Sequence, residues 1–257
     1  MLLTMLDKTL QSYFAIIPRN EPSFEMIQST RLIAHRGVHN YNQGIIENTF
    51  SAFDLAKKLG CWGIEFDVRA TADKVLVVNH DATLKRLWGY PQTIANLTFG
   101  ELRALVPQIP SLNEVIDAYG NSMHLFIELK TPFQDEGSLV NALQKLSAGQ
   151  NYHLLTLNDE IFRSLSHFPK NALLLVAAHN NVQEFCNICF KENYAGVLGH
   201  YFMITNKIIN RLKEANKIVG VGQVNSKYSL YRELNRGIPL LFTDQAAAMQ
   251  FYIKNLH

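Results

Sequence analysis

Eight short apolar runs bounded by turn residues, helix-period segments between most of them, and a length of 257 residues predict an α/β fold. The specific expectation is a (β/α)8 TIM barrel with a small insertion after the second strand. Strand alternating with helix implies parallel pairing, and eight such units occupy about this length when the sheet closes on itself. A doubly wound open sheet is the alternative, disfavoured because no glycine-rich phosphate fingerprint follows the first strand. With 47% apolar and 18% charged residues the chain can fill one large core, so residues 1–257 are read as a single domain.

Residues 1–30 are expected to be a helical extension. Leu6, Leu10, Tyr13, Phe14 and Ile17 fall on one side of a helix over residues 2–17, and a helix capping the domain is favoured over one lying on a membrane. Asp7 and Lys8 interrupt that stretch before a secretory signal can form, so the expected location is cytoplasmic. Strands are expected at residues 32–34 and 63–68, joined through a helix at 52–59. The run 75–79 follows the second strand too closely for a parallel crossover and is expected to fold back as a hairpin. It opens an insertion over about residues 70–112, where Thr98 with Glu101, and Ser111 with Glu114, have the spacing of capping boxes. The remaining strands are expected at 125–129, 153–157, 172–176, 195–198, 217–221 and 239–242, with helices at 139–146, 161–166, 208–215 and 230–235.

Net charge is +2, which makes no bulk case for nucleic acid or an anionic membrane, and no integral membrane segment is expected. Three cysteines are too few for a disulfide scaffold. Cys186 and Cys189 have a C-x-x-C spacing, but no second pair exists, and residues 182–190 read as a helix on which positions three apart share a buried face.

The chemistry concentrates at strand ends. Glu65 and Asp67 project from one face of the second strand while Ile64, Phe66 and Val68 line the other. Two like charges on one face repel unless a cation, an arginine or a shared proton relieves them. Glu128 and Lys130 repeat the pattern on the next strand, His35 and Arg36 follow the first strand directly, and His80 with Asp81 hangs from the hairpin. In a barrel these positions share one catalytic mouth. Oxygen ligands from Glu65, Asp67 and Glu128 suit Mg²⁺ or Ca²⁺, with Mn²⁺ also acceptable, better than zinc. Arg36 and Lys130 supply positive charge to a phosphate, and His35 and His80 can share acid and base work.

Several strings carry a resemblance: Ile33-Ala-His-Arg-Gly37, Glu47-Asn-Thr49, Gly63-Ile-Glu-Phe-Asp-Val68, Val77-Val-Asn-His-Asp81 followed by Leu84 and Arg86, Ile109-Pro-Ser-Leu112, and Ile127-Glu-Leu-Lys130. In order and spacing the chain resembles the glycerophosphodiester phosphodiesterases, densely from Leu32 to Lys130 and thinly afterwards, with residues 237–244 similar to the family's closing strand. The resemblance implies a (β/α)8 barrel that hydrolyses small glycerophosphodiesters to glycerol 3-phosphate and an alcohol. It implies His35 and His80 as acid and base, a divalent metal on Glu65, Asp67 and Glu128, and Arg36 and Lys130 on the phosphate.

The chain departs from the family pattern in places. Ile46 stands where a proline usually precedes Glu47, and Thr156-Leu-Asn-Asp159 replaces a Ser-Phe-Asp string. Gly222-Gln-Val-Asn225 replaces a Trp-Thr-Val-Asn string, which makes Gln223 a candidate pocket wall, smaller and more polar than an indole. A phospholipase D-like or phosphatidylinositol-cleaving barrel is the rival within enzymes. The polar residues Gln134, Asp135 and Glu136 argue against it. A catalytically silent phosphate- or protein-binding barrel would be expected to lack one of the histidines or acids, and none is missing.

Overall fold

In the computed structural model, which describes residue 9, residues 12–178 and residues 180–256, eight parallel strands close into a barrel. They are β1 (Arg31–His35), β2 (Gly63–Ala70), β4 (His124–Leu129), β5 (Tyr152–Thr156), β6 (Leu173–Ala177), β7 (Gly196–His200), β8 (Ile218–Gly222) and β9 (Leu240–Thr243). Each pairs with its neighbours in chain order, and β1 closes the ring by pairing with both β2 and β9. The short β3 (Leu76–Val78) runs antiparallel to β2, which is the expected hairpin.

The helices that cover the barrel are α2 (Phe50–Leu59), α5 (Leu112–Tyr119), α6 (Glu136–Leu143), α7 (Asp159–Ser164), α8 (Val182–Glu192), α9 (Asn206–Glu214), α10 (Lys227–Asn235) and α11 (Ala246–Lys254), preceded by a short α1 (Phe24–Gln28). The strand period divides the core into two layers. Ile64, Phe66 and Val68 of β2 point outward into the layer between sheet and helices, where the Phe66 ring meets Phe53 of α2 at 5.7 Å. Ile33, Phe126, Leu155, Leu174, Leu198 and Phe242 point inward and fill the barrel as a separate cluster. Each large apolar side chain buried in these layers is worth roughly 1.5–3 kcal/mol. The β7–β8 contact has no room for a side chain, because a Cβ on Gly196 would lie 2.0 Å from the Ile218 carbonyl oxygen.

The insertion has a small core of its own, made by Val77, Leu84, Ile94, Leu102, Val106 and Ile109 beneath α3 (Lys85–Trp88) and α4 (Phe99–Leu105). Both expected capping boxes form: Thr98 and Ser111 each accept from the amide three residues on, and Glu101 and Glu114 reach back to the cap. β2 fixes the hairpin turn that carries His80, since the Asn79 amide donates to the Asp67 carbonyl at 3.0 Å and Arg69 Nε donates to the His80 carbonyl at 2.8 Å.

The helix expected over residues 2–17 falls largely outside the described residues. Residues 12–16 are helical, and Phe14 meets the Tyr201 ring edge-on at 5.4 Å. Among the described residues no helix is long and apolar enough to cross a membrane. Cys186 and Cys189 are free and buried on α8, facing the core, in line with the helix reading rather than a metal or redox one.

Candidate active site

Strand register brings the acids together. His35 lies beside Glu65 in the β1–β2 pair, and Asp67 lies beside Glu128 in the β2–β4 pair, all at the carboxyl ends of parallel strands. Side chains two apart on β2 share the inward face, so Glu65, Asp67 and Glu128 converge, with one oxygen from each within 4.8 Å of the others. All three are buried.

Such a trio costs free energy unless countercharge reaches it. Lys130 Nζ lies 2.8 Å from Asp67 Oδ1 and also contacts Glu128, while Arg36 Nε lies 3.3 Å from Asp67 Oδ2. Burial alone would raise the Asp67 pKa, yet Lys130 and Arg36 hold it below the ordinary carboxylate range. Glu65 and Glu128 lack that degree of compensation, and burial together with the adjacent Asp67 pushes both upward. An oxygen-only donor set of this kind fits a hard divalent cation.

The two histidines are held alike. His35 Nδ1 lies 2.6 Å from Asp244 Oδ1, and His80 Nδ1 lies 2.7 Å from Asp81 Oδ1. A carboxylate only accepts, so each Nδ1 carries a hydrogen and each Nε2 is left for proton exchange. His35 Nε2 is 3.8 Å from Glu65. Burial opposes protonation of His35, but Glu65 and Asp244 outweigh it and raise its pKa to about 9; at His80 burial prevails and the pKa falls below its ordinary value.

A second shell of charge joins these groups. Arg36 sits at φ 55°, a left-handed turn that lets its amide donate to Glu65 at 3.1 Å while its guanidinium donates to Glu47 at 3.0 Å. Glu47 also accepts from Tyr41 and from Arg86 Nη2 at 2.7 Å, and Arg86 Nε reaches Asp81 at 2.5 Å. Asn48, also left-handed at φ 61°, donates to Asp67 at 2.9 Å. On the far side Asn225 accepts from the Asp244 amide at 2.9 Å, and its NH₂ group lies 3.3 Å from Asp244 Oδ2 and 3.2 Å from Gln223 Oε1.

Six of the seven expected catalytic and ligand residues, namely His35, Arg36, Glu65, His80, Glu128 and Lys130, line one cavity of about 320 Å³ together with Gln223. Asp67 lies beneath them, fully buried. Arg36 and Lys130 face the cavity but are engaged on acids. The opposite wall is apolar, formed by Leu155, Leu157, Val176, Leu198 and Phe242, a division the polar loop at 134–136 did not suggest. Glu47, Asn48, Asp81, Asn225 and Asp244 were not assigned roles from the sequence. Glu47 and Asn48 stand within the Glu47-Asn-Thr49 string, and Asp244 directly follows the closing strand, so the signal was present without a partner to interpret it.

Residues 35–183 match the model of the glycerophosphoryl diester phosphodiesterase family, more than half of the chain. The chain is 25% identical over 231 residues to a glycerophosphodiester phosphodiesterase of Caldanaerobacter subterraneus subsp. tengcongensis, covering 84% of this chain and 94% of that one. It is 36% identical over 110 residues to a putative glycerophosphodiester phosphodiesterase of Bacillus subtilis, covering 38% of this chain and 44% of that one. The fold is similar to the crystal structure of a glycerophosphodiester phosphodiesterase from Thermotoga maritima, with a TM-score of 0.72, 23% identity and coverage of 86% and 96% of the two chains. An Oleispira antarctica phosphodiesterase, solved in complex with the product sn-glycerol-3-phosphate, gives a TM-score of 0.73 at 23% identity, covering 88% and 97%.

The Glu47 network makes a stability prediction. Burial would raise the Glu47 pKa, but Arg86, Tyr41 and Arg36 lower it from 4.5 to about 2. A depressed carboxylate contributes stability above its unfolded pKa and loses it as the pH falls through the folded value. Glu47→Gln should therefore cost on the order of 3 kcal/mol at neutral pH, by the worth of about 1.4 kcal/mol per pKa unit. The gap from wild type should close between pH 4.5 and about 2. Urea unfolding of both proteins across that range checks this, and a gap that stays constant with pH would contradict it.

Proposed function

The chain belongs to the glycerophosphoryl diester phosphodiesterase family, and from that premise we propose that it hydrolyses glycerophosphodiesters to glycerol 3-phosphate and an alcohol at the mouth shared by His35 and His80. The observation that carries this reading is the pairing of two imidazoles, each held at Nδ1 by a carboxylate, in one cavity with three converging acids. The product named for the Oleispira structure, sn-glycerol-3-phosphate, agrees with it.

Glu65, Asp67 and Glu128 would hold the divalent cation, for which Mg²⁺, Ca²⁺ and Mn²⁺ are the candidates. When bound, that cation neutralises a phosphate oxygen and supports the charge that grows at phosphorus in the transition state. Arg36 and Lys130 add fixed positive charge on the same wall, pre-organised by Glu47, Asp67 and Glu128.

In the first step the glycerol hydroxyl beside the phosphate attacks phosphorus and gives its proton to Nε2 of one histidine. Nε2 of the other histidine protonates the departing alcohol oxygen as its bond to phosphorus breaks. In the second step water adds to the cyclic diester and the proton transfers run in reverse, opening the ring to glycerol 3-phosphate. Asp244 and Asp81 keep each ring in the tautomer that leaves Nε2 available, and Asn225 braces Asp244. The free, buried cysteines support the accompanying proposal of a cytoplasmic setting.

Gln223 faces the cavity at φ 65° and is proposed as the wall beside the leaving alcohol. Its amide favours small polar head groups and lacks the indole face that would attract a cationic one.

On a panel of glycerophosphodiesters with choline, ethanolamine, glycerol and inositol head groups, the wild type should release glycerol 3-phosphate. His35→Ala and His80→Ala should each lower kcat by roughly 10²–10⁴ with little change in binding, and the double variant should lose far less than the product of the two. Near-native turnover by His80→Ala on a diester with a poor leaving alcohol would refute the two-histidine mechanism.

Gln223→Trp should raise efficiency on the choline diester relative to the glycerol diester by about two- to thirtyfold, the range of a cation over an aromatic face. An unchanged ratio would remove Gln223 from the head-group wall.

A further inference from the structure

The end of the barrel opposite the catalytic mouth contains a second cavity, of about 230 Å³, lined by residues at or near the amino ends of strands. Arg31 opens β1, Trp62 precedes β2, and His153 lies near the start of β5, so the cavity is separated from the catalytic mouth by the packed interior of the barrel. It is smaller than the roughly 300–1,000 Å³ typical of drug-sized sites, which restricts it to a small molecule.

Its charge is one-sided. Arg31, Lys213 and Lys217 line it, none of them in an ion pair, and no carboxylate lines it among the described residues. The Arg31 guanidinium lies 4.8 Å over the Trp62 ring, which orients it without neutralising it. Lys213 and Lys217 donate to backbone or amide oxygens, and an ammonium has three donors.

The same cavity holds a hydrogen-bond acceptor whose identity follows from a chain of partners. His124 Nδ1 lies 2.9 Å from the Gln150 carbonyl oxygen, which can only accept, so His124 Nδ1 bears the hydrogen. A neutral His124 then accepts at Nε2 from His153 Nδ1, 2.8 Å away. Burial lowers both pKa values, to about 3 and about 4, so both rings are neutral at ordinary pH. His153 Nε2 is thereby left as a bare acceptor, with no partner among the described residues, on a ring that lines the cavity. The rest of the lining is apolar, with Phe126 stacked on His153.

We propose that this cavity is a binding site for a small aromatic carboxylate that also bears a hydroxyl, with the carboxylate on Arg31 and the hydroxyl donating to His153 Nε2. The site is independent of the catalytic reading, because no residue is shared between the two cavities.

Titration calorimetry of the full-length protein with 4-hydroxybenzoate tests it. Saturable binding of one molecule per chain is expected, accompanied by a change in Trp62 emission in a Trp88→Phe background. Benzoate, which lacks the donor, and 4-hydroxybenzyl alcohol, which lacks the charge, should each bind about tenfold more weakly. Arg31→Gln should weaken 4-hydroxybenzoate about tenfold while hydrolysis proceeds at the wild-type rate, and saturating glycerol 3-phosphate should not compete. If Arg31→Gln does not fold, Lys217→Gln should show a loss in the same direction. No saturable binding by the wild type, equal affinity for all three probes, or competition by glycerol 3-phosphate would overturn the proposal.

Discussion

Three carboxylates forced into one buried space are the constraint around which this molecule is organised. Two unit charges 4 Å apart repel by about 4 kcal/mol at an effective dielectric of 20, and Glu65, Asp67 and Glu128 approach one another on that scale. The register of β1, β2 and β4 leaves them no way apart. Lys130 and Arg36 reach in from the ends of β4 and β1, and Arg36 is in turn held by Glu47, a carboxylate it shares with Arg86. Charge compensation thus runs outward from Asp67 in shells, each acid meeting a base, until it arrives at Asp81 and His80. The left-handed backbone at Arg36 and Asn48 fits the same demand, since both turns aim donors at the acids.

The barrel supplies the rigidity this needs. Its inward layer of Ile33, Phe126, Leu155, Leu174, Leu198 and Phe242 is a packed plug, so the acids stand on a floor that excludes water from below and the two ends of the barrel have separate chemistry. At the carboxyl ends of the strands, charge is dense and paired. At the amino ends, three cations line one cavity with His153, whose ring donates to His124 behind it, and with apolar side chains. β2 serves the upper end by holding the His80 turn over the acids, its Asp67 carbonyl accepting from the Asn79 amide and its Arg69 Nε donating to the His80 carbonyl.

Much of this was legible in the chain. Each barrel strand was expected within a residue or two of where it forms, because bilayered strands read as short apolar runs whatever their neighbours, and both capping boxes formed where Ser or Thr stood three before Glu. The acids and histidines were legible because charged residues at successive strand ends have no structural reason to recur there. Asp244 and Asn225 were not: a single acid after the last strand looks like surface charge until closure of the barrel sets it beside His35, more than two hundred residues away in sequence. The apolar cavity wall was hidden for the opposite reason, since Leu155, Val176 and Leu198 are indistinguishable in sequence from core residues. The pairing of His124 with His153 was not legible because it depends on the register of β4 against β5.

Divalent-cation binding by the acid trio is measured directly by electron paramagnetic resonance of a Mn²⁺ titration into metal-stripped protein. One bound Mn²⁺ per chain is expected for the wild type, displaced by excess Mg²⁺ or Ca²⁺ and lost in Asp67→Asn with the fold retained by circular dichroism. Absence of bound Mn²⁺ in the wild type, or an unchanged spectrum in folded Asp67→Asn, would contradict it.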